Sequence, residues 1–264
     1  MQYGVCGGVD RAAALLAAGS DYIEIGVQTD LMPDADQATV AEHIARLRKI
    51  GLSSPVANGF IPGRLPMVGP EVDLEALHDY VEAAFVHACQ AGVHTIVFGS
   101  GGARRVPEGF DRDEAWGQLV SFGKMIAPMA EQRDIVVVVE PLNTAECNIL
   151  TTVPESARYV RDVDHPGVQL LVDAYHFARE NEPLSALDGT ADILRHAHIA
   201  TYESRLAPGR EDCDFTPFIQ KLKSIGYAGR LSIEGRWDDE TYEADVRRGI
   251  EILRELGSGS WAAA

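Results

Sequence analysis

Short β-forming runs alternate with helical patterns along the whole chain, and this alternation limits the fold more than any other feature. The runs are QYGVCG, DYIEIGV, SSPVANGF, HTIVFG, IVVVVE, VQLLVD, HAHIA and GRLSIE, with no change of composition between them that would mark a linker. Repeated βα units imply a parallel sheet, right-handed crossovers, and closure into a barrel once the units number eight. The runs are almost continuously apolar, as strands buried on both faces must be. The expectation is one α/β domain over residues 1–264, a (β/α)8 TIM barrel, with a loose tail from about 258. A doubly wound open sheet would carry G-x-G-x-x-G after its first strand, and CGGVDRAAA lacks that spacing.

Helix signals fill the gaps. In DLEALHDYVEAAFVHACQAG, Leu74, Leu77, Val81, Ala84, Phe85 and Ala88 share one face, with Asp73 as N-cap and Gly92 as stop. Asp111 and Glu114 have capping-box spacing, and Pro128 is placed to kink that helix late. A short helix is expected near 184–195, and the last helix is expected to stop at Gly257. His43, His78 and His87 fall in helical patterns and are assigned to the surface.

Composition narrows the function classes. With 264 residues and 46% hydrophobic content the chain can bury a large core. No apolar stretch is long enough for a membrane span, and the first residues lack the basic and apolar regions of a signal peptide. Cys6, Cys89, Cys147 and Cys213 are scattered, which predicts reduced thiols and a cytoplasmic protein. A formal charge of −17 repels polyphosphate backbones, so neither nucleic acid nor membrane is expected as a partner.

The strand ends carry the chemistry. Active sites of such barrels lie at the C-terminal ends of the strands. There the fifth strand offers Glu140, the sixth Asp173, the seventh His198 and the eighth Glu234. Carboxylates converging on one rim cannot all stay ionised without a cation. Three oxygens and one nitrogen without thiolate suit Mn²⁺ or Mg²⁺, with Co²⁺ or Zn²⁺ also compatible. One divalent ion is the cofactor expected.

The local sequences EPLNTAE, DAYH, HAHIATYESRLAPG and LSIEGRW together resemble the xylose isomerase-like TIM-barrel superfamily, above all ketose 3-epimerases such as D-tagatose 3-epimerase. The resemblance implies metal ligation by Glu140, Asp173, His198 and Glu234. It implies that Glu146 and His176 contact substrate oxygens and that Arg205 fixes a small-molecule sugar beside the metal. The loop before Arg205 is one residue longer than in those epimerases, so Glu203 or Tyr202 could share its role. The segment GSGGARRVPEGF also departs from them, which leaves the sugar unspecified. A homo-oligomer stays open, with no interface legible.

Such a set suits proton transfer beside a carbonyl. A divalent ion on the carbonyl oxygen stabilises an enediolate, while Glu140 and Glu234 take and return the proton. Transfer across the plane epimerises; transfer between neighbouring carbons interconverts aldose and ketose. A leaving group β to the carbonyl would turn the same step into elimination on a 3-keto sugar or glycoside. A phosphodiesterase like endonuclease IV needs additional histidines, but the third and fourth strand ends carry Asn58 and Gly99. Glu24 could support the site or touch substrate, and so could Asn58. Arg104 and Arg105 after GSGG read either as a phosphate-binding loop or as a solvated turn. His196 is assigned to core packing, and Phe60, Trp116 and Trp237 are candidate pocket walls, with Trp116 favoured as helix core.

Overall fold

The computed structural model describes residues 1–49 and 51–259. The part of the expected tail beyond 259 therefore lies outside the described residues. The strands are β1 (Gln2–Cys6), β2 (Tyr22–Gly26), β3 (Val56–Asn58), β4 (Thr95–Phe98), β5 (Val136–Val139), β6 (Val168–Asp173), β7 (Leu194–Ile199) and β8 (Arg230–Ile233). Each pairs in parallel with the next, and β8 returns to β1, closing the expected barrel. The helices are α1 (Ala12–Ala17), α2 (Gln37–Leu47), α3 (Leu74–Ala91), α4 (Gly101–Arg104), α5 (Arg112–Glu131), α6 (Val153–Val163), α7 (Ala174–Arg179), α8 (Thr216–Ser224) and α9 (Tyr242–Ser258).

The period of two along each strand sorts side chains between two cores. Val137 and Val139 join the large cluster between strands and helices, with Ile23, Ile25, Phe98, Val172 and Ile233. Val138 belongs to a small inner cluster with Tyr22, Val56, Val97 and Leu171. Two residues beyond each inner position, the same parity brings Glu24, Asn58, Gly99, Glu140 and Asp173 to the inside of the rim. His198 and Glu234 come to it from β7 and β8. Registers keep them level: Asp173 pairs with His198, and His198 with Ser232.

Local signals act mostly as expected. Asp73 caps α3 by accepting from the Glu75 and Ala76 amides, and Gly92 ends it with φ of 79°. Asp111 caps α5, which runs through Pro128. Four expectations need correction. The helix near 184–195 shrinks to a single 3₁₀ turn, Leu184–Leu187, and the barrel strand begins at Leu194. The helix that follows β6 is α7, whose six residues are too few for a periodic signal. Gly257 does not end α9; it lies inside that helix, where any Cβ would collide with the Tyr3 hydroxyl. Leu74 is 51% exposed, because the first turn of α3 projects past the core, whereas His87 is buried and its Nδ1 meets the Leu31 carbonyl at 2.8 Å. All four cysteines are free. Among the described residues no helix is long and apolar enough to cross a membrane.

Candidate metal centre and active site

Glu140, Asp173, His198 and Glu234 each offer a ligand atom, and these atoms lie within 4.8 Å of one another. His198 is the hub: its Nδ1 stands 3.1 Å from Glu140 Oε1 and 3.2 Å from Glu234 Oε2. Asp173 divides its carboxylate between two tasks. Oδ1 accepts from the Tyr175 amide at 2.6 Å and caps α7, while Oδ2 is buried and has no hydrogen-bond partner among the described residues. An orphaned buried carboxylate oxygen is costly, and a cation held by the quartet would satisfy it. These donors therefore fit a divalent ion.

The electrostatics agree. Burial, then the charges of Glu140 and Glu234, push the Asp173 carboxyl up to about 8. Burial and the Glu234 charge raise Glu140 as well. Glu234 moves the other way, down to about 2: burial opposes ionisation, but His198 and Arg205 overcome it. Two carboxyls on one rim thus have opposite proton preferences, the asymmetry an acid–base pair requires.

Glu24 lies behind the quartet, between the two histidines of β7. It is fully buried and touches both histidines of β7: Oε1 lies 2.9 Å from His198 Nε2, and Oε2 lies 2.9 Å from His196 Nε2. Ser232 Oγ adds 2.5 Å to Oε2 and 2.7 Å to the Tyr22 hydroxyl. His196, expected as core packing, is thus a buried polar partner. Burial works against the Glu24 carboxylate, but the two imidazoles hold it well below the usual carboxylate range. Cys6, Glu24 and His198 form a second close group of donors, although both Glu24 oxygens are engaged by the histidines.

The residues assigned to substrate also converge. His176 Nδ1 accepts from the Asn143 amide at 3.2 Å and side chain at 2.8 Å, so its Nε2 carries the proton. That nitrogen faces Asp173 Oδ2 at 3.9 Å and Arg205 Nη2 at 3.4 Å. Burial and then Arg205 hold the ring neutral, down to about 3. Asn143 also donates to Glu146 Oε1 at 3.0 Å, a linking role the sequence did not announce. Arg205 Nη2 lies 2.7 Å from Glu234 Oε2, and Nη1 lies 3.4 Å from Glu146 Oε1.

The loop before Arg205 is held locally. Arg205 adopts φ of 56°, its amide donates to the Thr201 carbonyl at 3.1 Å, and its carbonyl accepts from the Arg236 amide at 2.6 Å. Gly235 lets the two loops approach, since a Cβ there would meet backbone of residues 205–207 at 3.2–3.3 Å. Tyr202 stacks edge-on against Phe215 and Glu203 is exposed, so the guanidinium in the site is that of Arg205.

Both readings of Arg104 are overturned. It is neither solvated nor a phosphate ligand but fully buried, donating to the carbonyls of Phe98, Glu140 and Leu150 at 3.0, 2.7 and 3.3 Å. Arg105 is exposed and donates to the Glu146 carbonyl at 2.7 Å. Phe60 is fully buried and stacked on Phe85, so it does not wall the site. Trp116 is half-buried against the outside of the core, edge-on to Tyr159 and donating to Asp162 at 2.9 Å, so it neither walls the site nor lies in the helix core.

A family model described as xylose isomerase-like TIM barrel matches residues 12–256. The chain belongs to the xylose isomerase-like TIM barrel family. Within it, the chain is 32% identical over 132 residues to 3-dehydro-D-guloside 4-epimerase of Escherichia coli K12, covering 50% of each. It is 29% identical over 133 residues to ketose 3-epimerase of Arthrobacter globiformis, covering 50% of this chain and 45% of that one. The chain thus spans about half the length of the curated relatives it matches. A crystal structure of D-psicose 3-epimerase with D-tagatose from Clostridium cellulolyticum H10 superimposes with a TM-score of 0.86 at 18% identity, over 98% of this chain and 100% of that one. This last likeness is one of fold.

Proposed function

We propose that the chain is a divalent-metal-dependent sugar epimerase that moves a proton at the carbinol carbon beside a ketone. The observation that carries this reading is the convergence of Glu140 and Glu234 on His198 Nδ1, from strands on different sides of the site, beside the orphaned Oδ2 of Asp173. The relatives named above, a 4-epimerase of a 3-dehydro sugar and a ketose 3-epimerase, favour the same chemistry.

Glu140, Asp173, His198 and Glu234 would hold the ion, which when bound supplies positive charge where the sugar oxygens become anionic. The rest falls to the chain. Glu234, ionised beside Arg205, takes the proton from one face of the carbon. Glu140, whose buried site favours its acid form, delivers a proton to the other. The roles reverse for the opposite epimer. Neutral His176 donates from Nε2 to a substrate oxygen, and Arg205 and Glu146 fix neighbouring hydroxyls.

The substrate is a ketose or a 3-keto glycoside; the E. coli relative favours the latter, and the ketose 3-epimerase the former. Solvent deuterium exchange, run with Mn²⁺ over a panel of ketoses and 3-ketoglucosides, tests the reading. Label is expected at the carbon next to the carbonyl. Absence of exchange from every sugar of both classes would overturn it.

A further inference from the structure

Arg104 is among the largest fully buried side chains, yet among the described residues it pairs with no carboxylate. Its charge is met by three backbone carbonyls and the Phe98 ring, 5.4 Å from Cζ to centroid. Its Nε is buried and has no partner among the described residues. Burying a cation on such terms is expensive, so its contacts merit a functional explanation.

Those contacts bracket one residue. Phe98 is the last residue of β4, and its carbonyl also receives the Glu140 amide at 3.1 Å. The Glu140 carbonyl takes the shortest guanidinium bond, 2.7 Å. The Leu150 carbonyl, third in the fork, also receives the Leu142 amide at 3.2 Å, which ties down the turn directly after Glu140. The guanidinium therefore fixes the end of the neighbouring strand to which the Glu140 amide is bonded, the Glu140 carbonyl itself and the turn that follows. Gly99, next to Phe98, shapes the space for the side chain: a Cβ there would stand 2.5 Å from Glu140 Oε2. One segment, Gly99 to Arg104, thus anchors the Glu140 main chain and leaves room for its carboxylate.

We propose that Arg104 is a positioning residue for the reaction and that, with the bare Gly99, it sets the place of the Glu140 carboxylate. This deepens the epimerase reading and rests on it for the proton-transfer role.

The first test needs no sugar. Mn²⁺ affinity is titrated for folded Arg104→Met, Arg104→Lys and Gly99→Ala. Misplacing one ligand should weaken Mn²⁺ about 10-fold or more in Arg104→Met and Gly99→Ala. Arg104→Lys keeps the charge but cannot span three carbonyls, so it too should lose affinity. A guanidinium acting through charge alone predicts the reverse, because losing a nearby cation would tighten Mn²⁺. Unchanged or tighter binding in the Arg104 variants therefore overturns the proposal. If Arg104→Met does not fold, the other two variants decide it.

The second test reads direction. At saturating Mn²⁺, deuterium uptake into the recovered starting sugar is compared for the two members of an epimer pair, D-fructose and D-psicose first. With Glu140 displaced, exchange should persist for the epimer deprotonated by Glu234 and fall about 10-fold further for the other. Equal losses for both would mark a merely structural role and overturn the proposal. If the wild type exchanges no sugar of either class, the epimerase reading fails instead, and the Mn²⁺ titration still decides whether Arg104 places Glu140.

Discussion

Glu24 Oε1 lies 2.9 Å from His198 Nε2, opposite the ring nitrogen that meets Glu140 and Glu234. Holding a proton on Nε2 frees Nδ1 to coordinate, as partners behind metal-binding histidines do elsewhere. Glu24→Gln removes the anion between two buried imidazoles. Mn²⁺ affinity, measured calorimetrically, should drop about 10- to 100-fold. Stability should fall by about 3 kcal/mol, because a buried charge partner is lost. Full retention of Mn²⁺ affinity would mean that the carboxylate does not orient the ring.

Glu140→Gln and Glu234→Gln should each lower kcat about 10²- to 10⁴-fold on a sugar that the wild type turns over. Near wild-type turnover in either variant would remove that residue from the acid–base pair.

Arg205 contacts Glu234 and Glu146 and is a cation competing for the Glu234 carboxylate. Arg205→Ala should raise KM about 10- to 100-fold by removing a charged hydrogen-bond donor. Mn²⁺ binding should be kept or tightened, since less positive charge faces the carboxylates. Weaker Mn²⁺ binding would show that Arg205 organises the metal site instead.

Asp173 gives a pH prediction. Its carboxyl is pushed up to about 8 in the metal-free fold, against 3.8 for an ordinary aspartate. Mn²⁺ uptake at pH 6 to 7 should therefore release about one proton, with affinity rising about tenfold per pH unit and levelling above about 8. For the metal-free fold the sign follows from linkage. The folded state binds the extra proton, so this group's contribution to stability is whole below pH 3.8 and is lost as pH rises through about 8. Asp173→Asn should remove that loss and leave metal-free protein more stable than wild type at pH 8. Denaturant titrations at several pH values check this.

The barrel was legible because strands buried on both faces leave unbroken apolar runs, and because a carboxylate closing such a run is conspicuous. IVVVVE announces Glu140 in this way, and VQLLVD announces Asp173. What stayed hidden depends on distant partners or on main-chain acceptors. Glu24 between Ile23 and Ile25 carries no sign of His196 and His198, which lie more than 170 residues away. Arg104 looked like a charge in a glycine loop because its acceptors are carbonyls, which every residue has. His87 follows Ala84 by three residues and so shares its buried face, but an imidazole in a helical pattern reads as polar. Asn143 drew no attention because its value lies in bridging His176 to Glu146.

The Arg104 fork stitches two connections that the chain makes separately, the one leaving β4 and the one leaving β5. Loop exchange, the ordinary way to retarget a barrel of this kind, is therefore a two-piece operation on this scaffold. Residues 99–105 and 140–150 must be transplanted as a matched set, because a foreign 140–150 would leave a trapped cation facing the wrong carbonyls, and a foreign 99–105 would leave the Glu140 and Leu150 carbonyls without their donor.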